Sequence, residues 1–177
     1  MVARTAGKRR GVQRLILATV FAVMVFISKL ILPTPLDKML VVFQALFLGL
    51  GSILIWPLGA TIVSVISGLL TSAWRAPFAP FTLGFSILYG ILMDAFLLLF
   101  RVRTDETFPM KRFVAAIAAA TAVTGMASYY TTVHLLSLLP RNIALEASIM
   151  VAGLLNGIVG GYLAGLLWLK AVRHLVS

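Results

Sequence analysis

Apolar residues occupy this chain in long blocks, and the breaks between blocks are few and sharp. The first block runs from Leu15 to Leu32 and stops at Pro33-Thr34-Pro35. A basic start before an apolar run is also how a secretory signal begins. This run is long for such a signal and no small-x-small cleavage site follows it, so it predicts a retained span. From Met39 to Ala73 the chain is apolar for thirty-five residues, too long for one helix when about 20 residues cross the hydrocarbon layer. Trp56-Pro57 lies near the middle, and a proline there removes a hydrogen-bond donor and clashes with the preceding turn. Two helices are therefore predicted, over 39–55 and 58–73, the second ending at Trp74-Arg75-Ala76-Pro77. A fourth is predicted over 81–100, an alanine-rich fifth over 113–138 before Pro140, and a sixth over 147–169. The expected fold is an all-α integral membrane protein: six transmembrane helices in one bundle over 15–170, between tails at 1–14 and 171–177.

Composition supports lipid as the solvent. The 177 residues are 61% hydrophobic and 11% charged, with mean hydropathy +1.06, whereas soluble domains average about 45–50% apolar and about 25% charged. Six short-looped helices leave no room for an ATP-binding domain.

Charge adds an orientation. Lys and Arg number 15 against five acids, a formal +10, a balance that in a soluble domain would suggest nucleic acid. Here the basic residues lie between apolar blocks. With the N-terminus inside, the inner segments hold Arg4, Lys8, Arg9, Arg10, Arg14, Arg101, Arg103, Lys111, Arg112, Lys170 and Arg173, eleven of the 15. The outer segments hold Lys29, Lys38, Arg75 and Arg141. Positive charge gathers on the cytoplasmic side, so the expectation is a multi-pass plasma-membrane protein with both termini cytoplasmic and no nucleic-acid partner.

Catalytic chemistry is sparse. Cysteine is absent, which removes disulfides, thiol catalysis and Cys-based metal sites. There is no phosphate-cradling P-loop and no His-Glu-x-x-His, and no paired-aspartate cluster of the kind used by membrane-surface lipid enzymes. His134 and His174 fall on opposite sides in this topology. Neither an enzyme nor a cofactor or metal site is expected. Asp94 is the one acid within a span; an intramembrane ionisable group is a functional candidate by default, and the competing reading is an acid answered by nearby basic residues or water.

Small residues are ordered. Gly153, Gly157, Gly161 and Gly165 recur every fourth position, and Ala18 and Ala22 make an AxxxA step. Such faces let helix backbones approach closely, within the chain or against a partner. Polar and aromatic side chains collect in the outer half: Lys29, Asp37, Lys38, Gln44, Trp74, Arg75, Thr82, Ser86, Tyr89, Tyr129, Tyr130, His134, Arg141, Asn142, Glu146 and Asn156. Trp, Tyr, Lys and Arg also gather at headgroup depth without any ligand. Tyr89, Tyr130 and Asn156 lie deeper and need partners inside the bundle, as in a concave site with aromatic walls and a few convergent polar groups.

Six spans in under 200 residues, a basic start and Ala18-x-x-x-Ala22 together resemble the S components of energy-coupling factor (ECF) vitamin transporters. Gly59-Ala60-Thr61-Ile62-Val63-Ser64 through Gly68-Leu69-Leu70 to Trp74-Arg75-Ala76-Pro77 is similar to the thiamine-related branch, as is Gly161-Tyr162-Leu163-Ala164-Gly165-Leu166-Leu167 leading to Lys170-Ala171-Val172. The resemblance implies a membrane subunit that takes a vitamin or precursor from outside and works with a transmembrane T subunit and two ABC ATPases. It implies T-subunit docking at Ala18 and Ala22, and a substrate site at Trp74, Arg75, Tyr89, Tyr129, Tyr130, His134, Asn142 and Asn156. Thiamine itself would call for an acid near its cationic ring; span three has Val65 and no carboxylate, and Glu146 would serve only if the last outer loop folded inward. The N-terminal histidine of the nickel and cobalt branch is lacking. The alternatives are a structural or assembly membrane protein without a small ligand, and a small self-sufficient carrier with Asp94 in its path.

Overall fold

The computed structural model describes residues 2–31, 40–74, 76, 79–102, 108–135 and 143–172. Among them it contains six α-helices and no strand: α1 Val2–Ile31, α2 Val41–Leu54, α3 Gly59–Trp74, α4 Ala79–Leu99, α5 Met110–Tyr130 and α6 Ile143–Leu167. Wider π-type turns, Thr131–Leu135 and Trp168–Val172, extend α5 and α6. Three helical stretches are long and apolar enough to cross a membrane: Ala79–Leu99, Met110–His134 and Ile143–Ala171. The apolar parts of α1, α2 and α3 are shorter; the 14 residues of α2 rise about 21 Å at 1.5 Å each.

One helix begins earlier than expected. The basic segment 1–14, expected as a tail, is helical from Val2 onward, continuous with the apolar part of α1. Its alanines, arginines and lysine are strong helix formers and no proline interrupts them. Between α2 and α3 the break falls at residues 55–58, around a cis Trp56–Pro57 bond. The two helices meet closely beyond it: a Cβ on Gly59 would lie 2.7 Å from the Gly51 carbonyl carbon.

The α3 N-terminus lacks a cap of its own. Leu58 accepts the first helical bond from the Ile62 amide but offers no side-chain oxygen to the orphan N–H groups of the first turn. Asp94 of α4 supplies it: its carboxylate accepts from the Ala60 amide (3.2 Å), the Thr61 amide (2.8 Å) and the Thr61 hydroxyl (2.7 Å). At 3% exposure, Asp94 thus ties α4 to α3 from within, and the α3 dipole favours negative charge at that point.

The α4 C-terminus closes in a Schellman motif. Val102 N–H donates to the Leu97 carbonyl and Arg101 N–H to that of Leu98, each at 3.0 Å, with Val102 and Leu97 both buried. The cap residue Arg101 has φ +50°, a left-handed conformation costing a side chain roughly 1–2 kcal/mol. Arg101→Gly is therefore expected to raise unfolding stability in detergent by about 1 kcal/mol, read as a higher melting midpoint; an unchanged or lower midpoint refutes this account of the turn.

Helix α6 reverses the usual arrangement of a core helix. Its glycines face inward and its large apolar residues (Val151, Leu155, Val159 and Leu163 among them) face outward. A Cβ on Gly153 would lie 3.0 Å from Ala122 Cα, one on Gly157 2.5 Å from Ala118 Cα, and one on Gly161 3.3 Å from Val114 Cα. Gly165 meets Met110 and Phe108. The four-residue ladder is thus the seam along which α6 lies against α5. Gly160, off the ladder, meets Ala45 and the Val42 carbonyl of α2. Ala18 and Ala22 are also interior, each 0% exposed, on the face of α1 that packs toward α2 and α3.

Candidate functional site

A cavity of about 290 Å³ is lined by residues from all six helices. Its lining comes mainly from the C-terminal halves of α1, α3 and α5 and the N-terminal halves of α2, α4 and α6, so successive helices alternate in direction. The cavity therefore lies toward the end opposite the start of α1 and the end of α6. At about 30 Å³ per water molecule it has room for some ten waters, or a small organic molecule of similar bulk.

The wall is mostly apolar, and hydroxyl groups enter it in phase on three helices: Ser64, Ser67 and Thr71 on α3; Thr82 and Ser86 with Tyr89 on α4; Thr121, Thr124 and Ser128 on α5. Spacings of three and four place each set on one helix face. Most of these hydroxyl protons are already committed. Ser67 donates to the Ser64 carbonyl (3.2 Å), Thr71 to that of Ser67 (2.7 Å), Thr121 to that of Ile117 (2.8 Å) and Thr124 to that of Ala120 (2.8 Å). Ser64 likewise donates to the Thr61 carbonyl at 2.8 Å. A Ser or Thr hydroxyl has one proton and two lone pairs. Donation to its own helix leaves oxygen lone pairs for whatever occupies the cavity, and the α3 and α5 walls are acceptor-rich.

Tyr89 crosses from α4 to α5. Its phenol lies 2.8 Å from Thr121 Oγ1, and because the Thr121 proton goes to Ile117, the phenol is the donor. On the opposite side Lys29 Nζ donates to Ser86 Oγ at 3.1 Å, joining α1 to α4 at the cavity wall. Gln44 of α2 and Asn156 of α6 also line it, and among the described residues their side-chain amides make no hydrogen bond. Each retains a carbonyl acceptor and two N–H donors. Phe85, with Tyr89, adds aromatic surface. The described residues lining the cavity include no carboxylate.

The residues expected in the site divide. Tyr89 and Asn156 line the cavity. Trp74 does not line it and is 70% exposed at the end of α3. Tyr129, Tyr130 and His134 form a separate aromatic group at the end of α5. The two tyrosine rings are 5.7 Å apart at 62°, and Tyr130 stacks on His134 at 5.9 Å and 8°. The Tyr130 hydroxyl donates to Glu146, so that acid is engaged beside the cavity and does not line it. Arg75 and Asn142 lie outside the described residues. Ala18 and Ala22, expected to meet a partner, are inside the helix packing, and a partner helix would reach them only if α1 moved.

Sequence reasoning left out of the site Lys29, Gln44, Thr82 and Ser86, although each was legible as an outer polar residue, and passed over the α3 and α5 hydroxyls altogether. Their signal was the shared phase of the sets 64-67-71 and 121-124-128. Comparison with protein-family models, with curated proteins and with solved structures finds no match.

Proposed function

We propose that this chain is a substrate-binding membrane subunit of the ECF S-component type, with six crossings and both termini cytoplasmic. It would take a small vitamin-like molecule from the outer side and pass it inward with a T subunit and two ABC ATPases. The observation that carries the reading is the cavity: one chamber lined by all six helices, with hydroxyl and amide groups set in a mostly apolar wall, at the end away from the basic segments. A purely structural bundle has no need of such a chamber, because each buried polar group not otherwise paired weakens it. The basic segments support the orientation, and the outward bulk of α6 supports a lipid surround. Ala18 and Ala22 are engaged within the chain, so docking of a T subunit on that face would follow a movement of α1.

Gly125 supplies the test. It lines the cavity, and a Cβ there would meet only Ile149 Cγ2, at 3.6 Å. Gly125→Phe should therefore fill the chamber with little strain on α5. Wild type purified from its native host in mild detergent is expected to bring down a T-type membrane subunit with two ATPases, and to release on denaturation a small molecule that Gly125→Phe loses at least tenfold. Equal release from both proteins, with no such partners, would overturn the proposal.

A further inference from the structure

Charge is far from balanced at the end of the bundle opposite the cavity. The start of α1, the end of α4, the start of α5 and the end of α6 meet that end. With their flanking segments they carry eleven of the chain's 15 lysines and arginines. The chain has five acidic side chains with which to answer them. Asp94 is committed to the start of α3 and Glu146 to Tyr130, and Asp37 belongs to the α1–α2 connection, at the cavity end. Asp105 and Glu106 remain, between α4 and α5. Eleven cations against two acids leave nine unanswered.

One sector shows how an anion from outside the chain would be met. Arg101 after α4, Lys111 and Arg112 in the first turn of α5, and Lys170 beyond α6 are all exposed. None of these four side chains makes a hydrogen bond or an ion pair among the described residues. The three helix ends are neighbours, since α5 packs on both α4 and α6 and a Cβ on Gly165 would meet Met110. Outward leucines lead up to the cations: Leu98 and Leu99 before Arg101, Leu167 and Leu169 before Lys170. We propose that this sector docks an anionic phospholipid, with the acyl chains on the leucines and the headgroup phosphate among the four cations. An acidic protein or a nucleic acid calls for cations set out in water. Arg101 and Lys170 instead stand within two residues of an outward leucine, at headgroup depth. Each lysine or arginine so placed strengthens attachment to an anionic lipid about fivefold. The basic start of α1 adds to the same field. Charge that served only to orient the chain during insertion would give the folded protein no preference among lipids.

Thermal unfolding of the purified full-length chain in neutral detergent, with added phosphatidylglycerol or phosphatidylcholine of the same acyl chains, tests the proposal. Phosphatidylglycerol is expected to raise the midpoint by about 3–6 °C, and phosphatidylcholine by less than about a quarter of that. The shift should fall about twofold or more between about 50 and about 500 mM salt. In Lys111→Gln/Arg112→Gln/Lys170→Gln, the phosphatidylglycerol concentration giving half the shift should rise about a hundredfold. Lys170→Gln alone, which serves if the triple variant does not fold, should raise it about fivefold. Equal shifts from the two lipids overturn the proposal, because acyl chains alone then account for binding. An equal shift from inorganic phosphate, poly-glutamate or an oligonucleotide overturns it too, in favour of a free anion or an acidic macromolecule. So does a half-shift concentration unchanged by the substitutions. None of these outcomes bears on the chamber, whose test is the small molecule released on denaturation.

Discussion

Gly157→Leu is expected to prevent α5 and α6 from closing, at a cost of about 3 kcal/mol or more. The glycine has no room to spare: even its Cβ would stand 2.5 Å from Ala118 Cα and 3.1 Å from Ala118 N. These are backbone atoms, so no rotamer change relieves the contact and the two helices must separate. Separation forfeits dispersion contacts along the whole seam, because a gap of 0.5–1 Å already loses a quarter to a half of each well. In lipid that loss is not compensated, since helix association there depends on close packing. The loss should appear as a much lower midpoint in detergent unfolding, with Gly157→Ala intermediate. Leu155→Phe, on the outward face of the same helix, should leave the midpoint within about 0.5 kcal/mol of wild type. Equal effects from Gly157→Leu and Leu155→Phe would refute the seam.

The second large effect is expected at Asp94. Asp94→Leu removes the oxygens that receive the Ala60 and Thr61 amides, and buried N–H groups left without acceptors cost about 1–3 kcal/mol each. The Thr61 hydroxyl can turn to a carbonyl of its own helix, so the two amides decide the total, about 4 kcal/mol. Asp94→Asn keeps one carbonyl oxygen and should lose about half as much. Unfolding midpoints of the two variants test the gradation. The pairing also bears on a transport role: were Asp94 a carrier of protons or cations, the Asn variant would stop flux in liposomes without losing stability. A purely structural cap predicts that stability falls first.

Much of the helix pattern was legible, for local reasons. Pro57 divides the long apolar block because its ring cannot sit inside a helix, and the observed break at 55–58 surrounds it. The four-residue glycine spacing announced a close contact, and α6 lies on α5 along that edge. What the spacing did not carry was the neighbour's identity: Ala18 and Ala22 read equally well as a surface for another subunit, and only the packing of α1 on α2 and α3 places them inside. The site was harder. Tyr89 and Asn156 stood out because large polar side chains deep in a span demand partners, whereas serine and threonine satisfy themselves on their own helix and raise no alarm singly. Their alignment at one depth on three helices depends on helix phase and tilt, which a linear pattern does not contain. Trp74 lies apart from the cavity, as an end-of-span aromatic is content at an interface.

The reversed build of α6 turns round the ordinary rule of mutational tolerance. In a soluble core, truncation does the harm, because it empties space that bulk had filled. Along the glycine edge of α6 there is no bulk to truncate, and harm comes only by enlargement. On its far edge, enlargement meets little among the described residues. Engineering this helix is therefore a matter of adding volume on one side only, and the residue that looks least informative, the missing side chain, is the one where replacement costs most.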